Sequence, residues 1–275
     1  MIEMIEDIWI IDAFTPQAFR GNAAAVCLLP EFPDTAAMQL VAAQMNLSET
    51  AFAVRNKHLD YNLRWFTPDV EVNLCGHATL ATTHVLLQNR VIKDGDVVTY
   101  HTLSGELTAR AKGKFIELDF PTLPGEAVKP PAPLKALGVD ILACELSRDN
   151  YLVEVKSFEA LLACTPHYKK LAKLDAQGVI VTTAKGVEGY DFASRYFCPG
   201  IGINEDPVTG SAHCTLAPYW AKKLGKETFH CLQASKGHGI LDVTLKGRRT
   251  LIAGQCVTTL KGKLPTTKRK ETVTC

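Results

Sequence analysis

Two stretches of this 275-residue chain echo each other. Arg64-Trp65-Phe66-Thr67-Pro68 is followed by a loop and Gly76-His77-Ala78, and Arg195-Tyr196-Phe197-Cys198-Pro199 is followed by a loop and Gly210-Ser211-Ala212. The arginines are 131 positions apart and the glycines 134. Each half thus reads as strand, Pro-terminated loop, Gly-x-Ala and helix, the trace that a duplicated unit leaves. A chain of this length supports one large domain or two of roughly 130 residues, and the offset favours two copies of one unit.

The local signals fill in this frame. Ile8 to Phe14 reads as a strand, Thr15 to Asn22 as a polar break, and Ala23 to Leu29 as a second strand. From Asp34 to Met45, Met38, Leu40, Val41 and Met45 recur at helical spacing, with Asp34 placed to cap the helix. Glu49 to Val54 and Asn62 to Phe66 read as a strand pair, Gly76 to Gln88 as a helix, and 96–102, 105–111 and 114–119 as three strands. Pro121, Pro124, Pro130, Pro131 and Pro133 mark a linker or a domain edge. Beyond it come a strand at 151–155, helical stretches over 157–173, strands at 178–182 and 190–197, and a helix from Ser211 to Leu224. Strands through 228–233, 239–245 and 250–260 follow, and the tail around Lys268-Arg269-Lys270 reads as frayed, solvated surface.

Composition narrows the function classes. With 30 Lys+Arg against 29 Asp+Glu, no surplus of positive charge exists to neutralise a phosphate backbone, so neither nucleic acid nor a membrane surface is the expected partner. Hydrophobic residues at 47% exclude a mostly disordered chain. The nine cysteines are dispersed, with no C-x-x-C, as reduced cytosolic thiols would be. The acidic N-terminal segment lacks the basic region of a signal or transit peptide, and no apolar run approaches a membrane span. A cytoplasmic protein acting on a small molecule is the expectation.

The chemistry points to the two Gly-x-Ala loops. A loop that ends in Gly and opens a helix presents free N–H groups and the positive end of the helix dipole, which together make an anion site. If the halves face each other, the starts at Gly76-His77 and Gly210-Ser211 converge and can hold a carboxylate; otherwise the glycines merely begin helices. Glycine suits the place because it permits close backbone approach and positive φ. Glu49, where an apolar strand begins, is either a helix-end carboxylate or a general acid/base whose pKa an apolar cleft would raise. His77 lies in the first turn of its helix. Of Glu205 and Asp206, only one is expected to point inward. Cys75, just before Gly76, would have its thiol pKa lowered by a helix start and could act as a thiolate. No G-x-G-x-x-G, P-loop, H-E-x-x-H or G-x-S-x-G occurs. Metal-ligand spacing is also lacking, so proton transfer with no cofactor and no metal is the reading left.

These segments resemble the phenazine-biosynthesis PhzF-like family. The resemblance is carried by Asp12-Ala13-Phe14, Phe19-Arg20-Gly21-Asn22, Met45 to Phe52, Leu63 to Pro68, Leu74-Cys75-Gly76-His77-Ala78-Thr79, Ser194 to Phe197, and Glu205 to His213. It is close to the phenazine-biosynthesis-like domain proteins of animals and bacteria. The fold implied is α+β and diaminopimelate epimerase-like, with two pseudo-symmetric domains, each a barrel-like mixed sheet around a central helix. The boundaries expected are 1–118 and 119–260, followed by a C-terminal segment, 261–275, that is partly tail.

In the family's phenazine enzyme an essential Glu shuttles a proton between two carbons, assisted by a His, an Asp and a Ser. The motif matches carry the catalytic roles onto Glu49, His77 and Asp206, and substrate binding onto Gly76, Gly210, Ser211, Asn22 and Cys75. The implied activity is a cofactor-independent isomerase acting on a small carboxylate-bearing substrate, in a homodimer. Epimerase relatives use paired cysteines; here the second is absent. A racemase using Cys75 with Glu49, and a non-catalytic binding module on this fold, are the alternatives.

Overall fold

The computed structural model describes residues 3–266, so the basic tail segment and Cys275 lie outside the described residues. The first half runs β1 (Glu3–Ala13), β2 (Asn22–Leu29), α1 (Thr35–Met45), β3 (Glu49–Lys57), β4 (Asp60–Phe66) and β5 (Glu71–Val72). It continues through α2 (Gly76–Gln88), β6 (Val97–Thr102), β7 (Gly105–Lys112), β8 (Phe115–Pro121) and β9 (Glu126–Ala127). The second half opens with β10 (Ala143–Ser147), β11 (Asn150–Glu154), α3 (Phe158–Leu162), α4 (Tyr168–Leu171), β12 (Gly178–Thr183), β13 (Phe192–Cys198) and β14 (Ile203–Asp206). It ends with α5 (His213–Leu224), β15 (Thr228–Gln233), β16 (Gly239–Lys246), β17 (Arg249–Gly254) and β18 (Cys256–Thr266).

The pairing repeats strand for strand. In the first half β1–β2 is antiparallel, β2–β3 parallel, β3–β4 antiparallel, β4–β6 parallel, and β6–β7 and β7–β8 antiparallel. In the second half β10–β11, β11–β12, β12–β13, β13–β15, β15–β16 and the next pair follow the same sequence of senses. Here the strand that pairs with β16 is β17. The halves meet where β8 pairs antiparallel with β17, and the register sets Leu118 opposite Ile252. Those two residues differ by 134 positions (252 − 118), the same offset as Gly76 and Gly210. A residue can face its own counterpart across an antiparallel pair only on a two-fold axis, so the axis of the duplication passes between Leu118 and Ile252. The strand after each copy then crosses over: β9 pairs with β10, and β18 pairs with β1.

α2 packs against β1, β2, β3, β7, β8 and β18, which makes it the central helix of the first sheet. A helix buried on all sides has no polar face to spare. Its threonines comply by bonding back along the helix: Thr79 Oγ1 donates to the Cys75 carbonyl at 2.6 Å, Thr82 to Ala78 at 2.8 Å and Thr83 to Thr79 at 2.9 Å. α5 packs on β16 and β17 and contains Pro218. A proline in a helix leaves the carbonyl four residues earlier without its amide. Here that carbonyl, of Cys214, accepts instead from the Leu123 N–H at 2.9 Å.

Several expectations need revision. The expected strand at 250–260 is two strands broken at Gln255, one pairing with β8 and the other with β1. The helix expected from Ser211 begins as a 3-10 turn, Gly210–Ala212, and becomes α-helical at His213. The helical stretches expected over 157–173 are two short helices, α3 and α4. Asp34 does cap α1, its carboxylate accepting from the Ala37 N–H at 2.7 Å. Asp34→Ala should therefore lower stability by about 1 kcal/mol in chemical denaturation.

Candidate active site

The helix starts and the loops beside them come together at the junction of the halves, where α2 touches the Gly210–Ala212 turn. Glu49 arrives there because α1 ends at Asn46 in the left-handed conformation (φ 51°, ψ 38°) and a short turn leads into β3, whose first residue it is. β3 lies parallel to β2, with Glu49 opposite Ala24, so Glu49 sits two positions from Asn22 at the start of β2. Cys75 occupies the N-cap of α2 in extended backbone, and His77 follows in the first turn.

The side chains form a connected set. His77 Nε2 lies 3.0 Å from Glu49 Oε2, both side chains almost wholly buried. The pair is in ionic contact but is not aligned as a hydrogen bond, and each of those atoms is otherwise unpartnered. The opposite ring nitrogen, Nδ1, lies 3.5 Å from Cys75 Sγ and 3.4 Å from Asn22 Nδ2. Asn22 spans the junction: its Nδ2 donates to Asp206 Oδ1 at 2.9 Å and to the Val208 carbonyl at 3.1 Å. Thr209 Oγ1 donates to Asp206 Oδ2 at 2.5 Å.

The two adjacent acids are sorted by an arginine. Arg195 grips Glu205 through Nε and Nη2 at 2.8 and 2.9 Å, as Arg64 grips Glu71 at 2.7 Å on both contacts in the first half. Glu205 is thereby a framework residue of the repeat, and Asp206 is the acid that enters the junction. Gly76 and Gly210 stand at the helix starts, but neither has positive φ. At Gly76 an added Cβ would meet only ordinary contacts, the nearest being Phe120 at 3.6 Å, so internal packing does not demand glycine there. Ser211 is exposed, and its hydroxyl makes no hydrogen bond among the described residues.

Sequence reasoning passed over two supports. Gln233 Oε1 accepts from the Thr209 N–H at 2.7 Å, and its Nε2 donates to the Asp206 carbonyl at 2.9 Å, so one buried side chain ties Asp206 to the helix start. The signal was available in strand alternation: Phe229, Cys231 and Gln233 all face inward along β15, and a glutamine in that row needs partners. Phe14 is the other, fully buried at φ 61° with its ring against Gly210 and Gly254. An added Cβ on Gly254 would lie 2.4 Å from that ring.

The electrostatics follow from burial and proximity. Burial pushes the Asp206 carboxyl up to about 6, with the Glu49 charge adding to it; His77, Thr209 and Asn22 act in the opposite direction. Burial works against the His77 imidazolium, yet the sulfur of Cys75 and the carboxylate of Glu49 outweigh it and hold the ring well above its usual range. For Cys75 the expected lowering is reversed: burial, reinforced by the Glu49 charge, raises the thiol to about 11, so it is protonated at neutral pH. Donor atoms of Glu49, Cys75 and His77 lie within 4.8 Å of one another, near enough for a divalent cation. The sulfur and the carboxylate, however, approach opposite ring nitrogens, and an ion can take only one of them.

The family model for phenazine biosynthesis-like proteins matches residues 11–262, nearly the whole described chain. The chain belongs to this family. Among its relatives, an "uncharacterized isomerase" of Halalkalibacterium halodurans is 47% identical over 264 residues, covering 95% of this chain and 99% of the relative. The crystal structure of a PhzF-family phenazine biosynthesis protein of Enterococcus faecalis superposes with a TM-score of 0.90 at 39% identity, covering 94% of this chain and 98% of that one. A hydroxyproline epimerase of Agrobacterium vitis, at 13% identity, TM-score 0.61 and coverage of 96% and 94%, shares the fold. The α+β, epimerase-like duplication expected from the sequence is thus shown, and the family kinship makes an isomerase the enzyme class. A small molecule is the corresponding substrate. No helix among the described residues is long and apolar enough to cross a membrane.

Proposed function

We propose that the junction of the two halves is the active-site cleft of a cofactor-independent isomerase, in which Glu49 moves a proton between two carbons of a small carboxylate-bearing substrate. The observation that carries this reading is the Glu49 Oε2 to His77 Nε2 contact of 3.0 Å, buried between two helix starts. Glu49 takes a proton from an activated C–H as its carboxylate and returns it to another carbon of the delocalised intermediate. His77, cationic beside Glu49, stabilises negative charge that develops on the substrate. Asp206 orients the substrate's polar groups, with its own position set by Asn22 and Thr209. The helix-start amides at Gly76 and Gly210, with the exposed hydroxyl of Ser211, bind the carboxylate.

Turnover of small carboxylates in cofactor-free buffer tests the assignment, comparing the unmodified protein with Glu49→Gln and Cys75→Ser. A proton shuttle through Glu49 predicts that Cys75→Ser keeps turnover within about tenfold, because a thiol raised to about 11 is no base at neutral pH. A loss at Cys75→Ser as large as that at Glu49→Gln would make Cys75 the second base of a racemase instead.

A further inference from the structure

The two copies differ at the end away from the junction. In the first half β1 and β18 are strands of eleven residues each, whereas their counterparts in the second half, β10 and β9, have five and two. β10 begins at Ala143, opposite Glu154, the last residue of β11, so no part of β10 runs on beside the residues that follow, and Leu142 is left 61% exposed. A pocket of about 380 Å³ opens there, at the C-terminal ends of the parallel pair β11–β12 and against Trp220 of α5. Asn22 and Glu49 stand at the opposite, N-terminal ends of the equivalent pair β2–β3. Trp220 is nine positions (220 − 211) after Ser211, so the pocket lies about 13 Å along the helix from the junction.

The pocket pairs an apolar wall with uncompensated positive charge. Leu142, Val155, Ala184 and Trp220 supply the wall, and Lys156 and Lys185 the charge. Among the described residues neither lysine has a carboxylate within ion-pair distance. The carboxylate that lines the pocket, Glu154, is already engaged: Tyr219 Oη donates to it at 2.5 Å and Lys223 pairs with it. Thr183, 1% exposed, accepts from the Lys185 N–H at 3.2 Å, and its own hydroxyl hydrogen is given to no acceptor among the described residues. Two cations in one pocket repel each other, and an anion placed between them removes that repulsion. We propose that this pocket is a second ligand site, which binds a small organic anion: the acidic group sits between Lys156, Lys185 and the Thr183 hydroxyl, and the apolar body lies against Leu142, Val155 and Trp220. A volume of this order takes a one- or two-ring molecule. The site is separate from the junction and does not depend on the proton transfer proposed there.

Naphthalenesulfonate is the probe, with naphthol, uncharged at neutral pH, as its counterpart. Calorimetry on the full chain should show the sulfonate binding with a dissociation constant below about 1 mM and at least about fivefold more tightly than naphthol. Lys156→Gln combined with Lys185→Gln should weaken the sulfonate by at least about fivefold. Both lysines are exposed, so the double variant keeps its fold, which circular dichroism checks, and the comparison with naphthol on the unmodified protein stands without it. The indole N–H signals of Trp9, Trp65 and Trp220, the three tryptophans of the chain, locate the probe by NMR: that of Trp220 should shift on titration, and that of Trp65, buried in the first half, should stay. A sulfonate that does not bind, that gains less than about fivefold over naphthol, or that loses less than about fivefold in the double variant would overturn the inference. So would a bound sulfonate that leaves the Trp220 signal in place, which would put the anion elsewhere, the junction included.

Discussion

Glu49→Gln should lower turnover by about 10²- to 10⁴-fold while the protein stays folded. Glutamine has the same shape as the glutamate but can neither take nor return a proton, so the substitution removes chemistry and leaves volume alone. Glu49 is the first residue of β3, and the backbone pairing of β3 with β2 and β4 does not involve its side chain. His77 loses the carboxylate that helps keep it cationic, which adds to the loss in the transition state. Circular dichroism and the unfolding midpoint check the fold, and steady-state kinetics check the loss. Turnover within about tenfold of the unmodified protein would remove Glu49 from the mechanism.

The second large effect is on stability as a function of pH. Asp206 titrates near 6 in the folded protein against an ordinary 3.8. Between those values the native state holds a proton that the unfolded state has lost, so its contribution is fully present below about pH 4 and is lost as pH rises through 6. His213 runs the other way. Buried with its Nε2 unpartnered, it is pushed down to about 4 from 6.5. Its contribution is present above 6.5 and is lost as pH falls through 4. Each displacement is worth about 3 kcal/mol, and in the unmodified protein the two nearly cancel across this window. Asp206→Asn removes one side of the balance. Relative to the unmodified protein, its unfolding free energy should rise by about 3 kcal/mol between pH 4 and pH 7, measured by urea denaturation. His77, held well above its usual range, loses its own contribution only as pH rises above 6.5, and does so in both proteins. A pH-independent difference between the two proteins would show that Asp206 is not raised by burial.

Much of the fold was legible because its signals are local. α2 spans Gly76–Gln88 as its helical spacing and preceding loop suggest, and α1 begins where Asp34 can cap it. The duplication was legible because its copies keep matching residues at the same offset. The exchange of β9 and β18 between halves was not, since a two-residue strand such as Glu126–Ala127 has no local pattern and its partner lies far along the chain. In the candidate site, residue types and loops pointed to the right region, but local rules gave the wrong sign where tertiary burial dominates. Cys75 at a helix start should be acidified by the dipole; inside the core, desolvation wins. Local rules did not separate neighbouring Glu205 and Asp206, which only the family motif sorted; in the structure Arg195, from the adjoining strand, claims the first.

The carbon on which new hydrogen lands tests the central claim most directly. Turnover in heavy water, with the product read by proton and deuterium NMR, locates each C–D bond that forms. A proton moved by Glu49 between two carbons predicts deuterium at a carbon other than the one deprotonated, in a product that is a positional isomer of its substrate. Deuterium returned to the original carbon with inverted configuration would contradict it and make the protein a racemase.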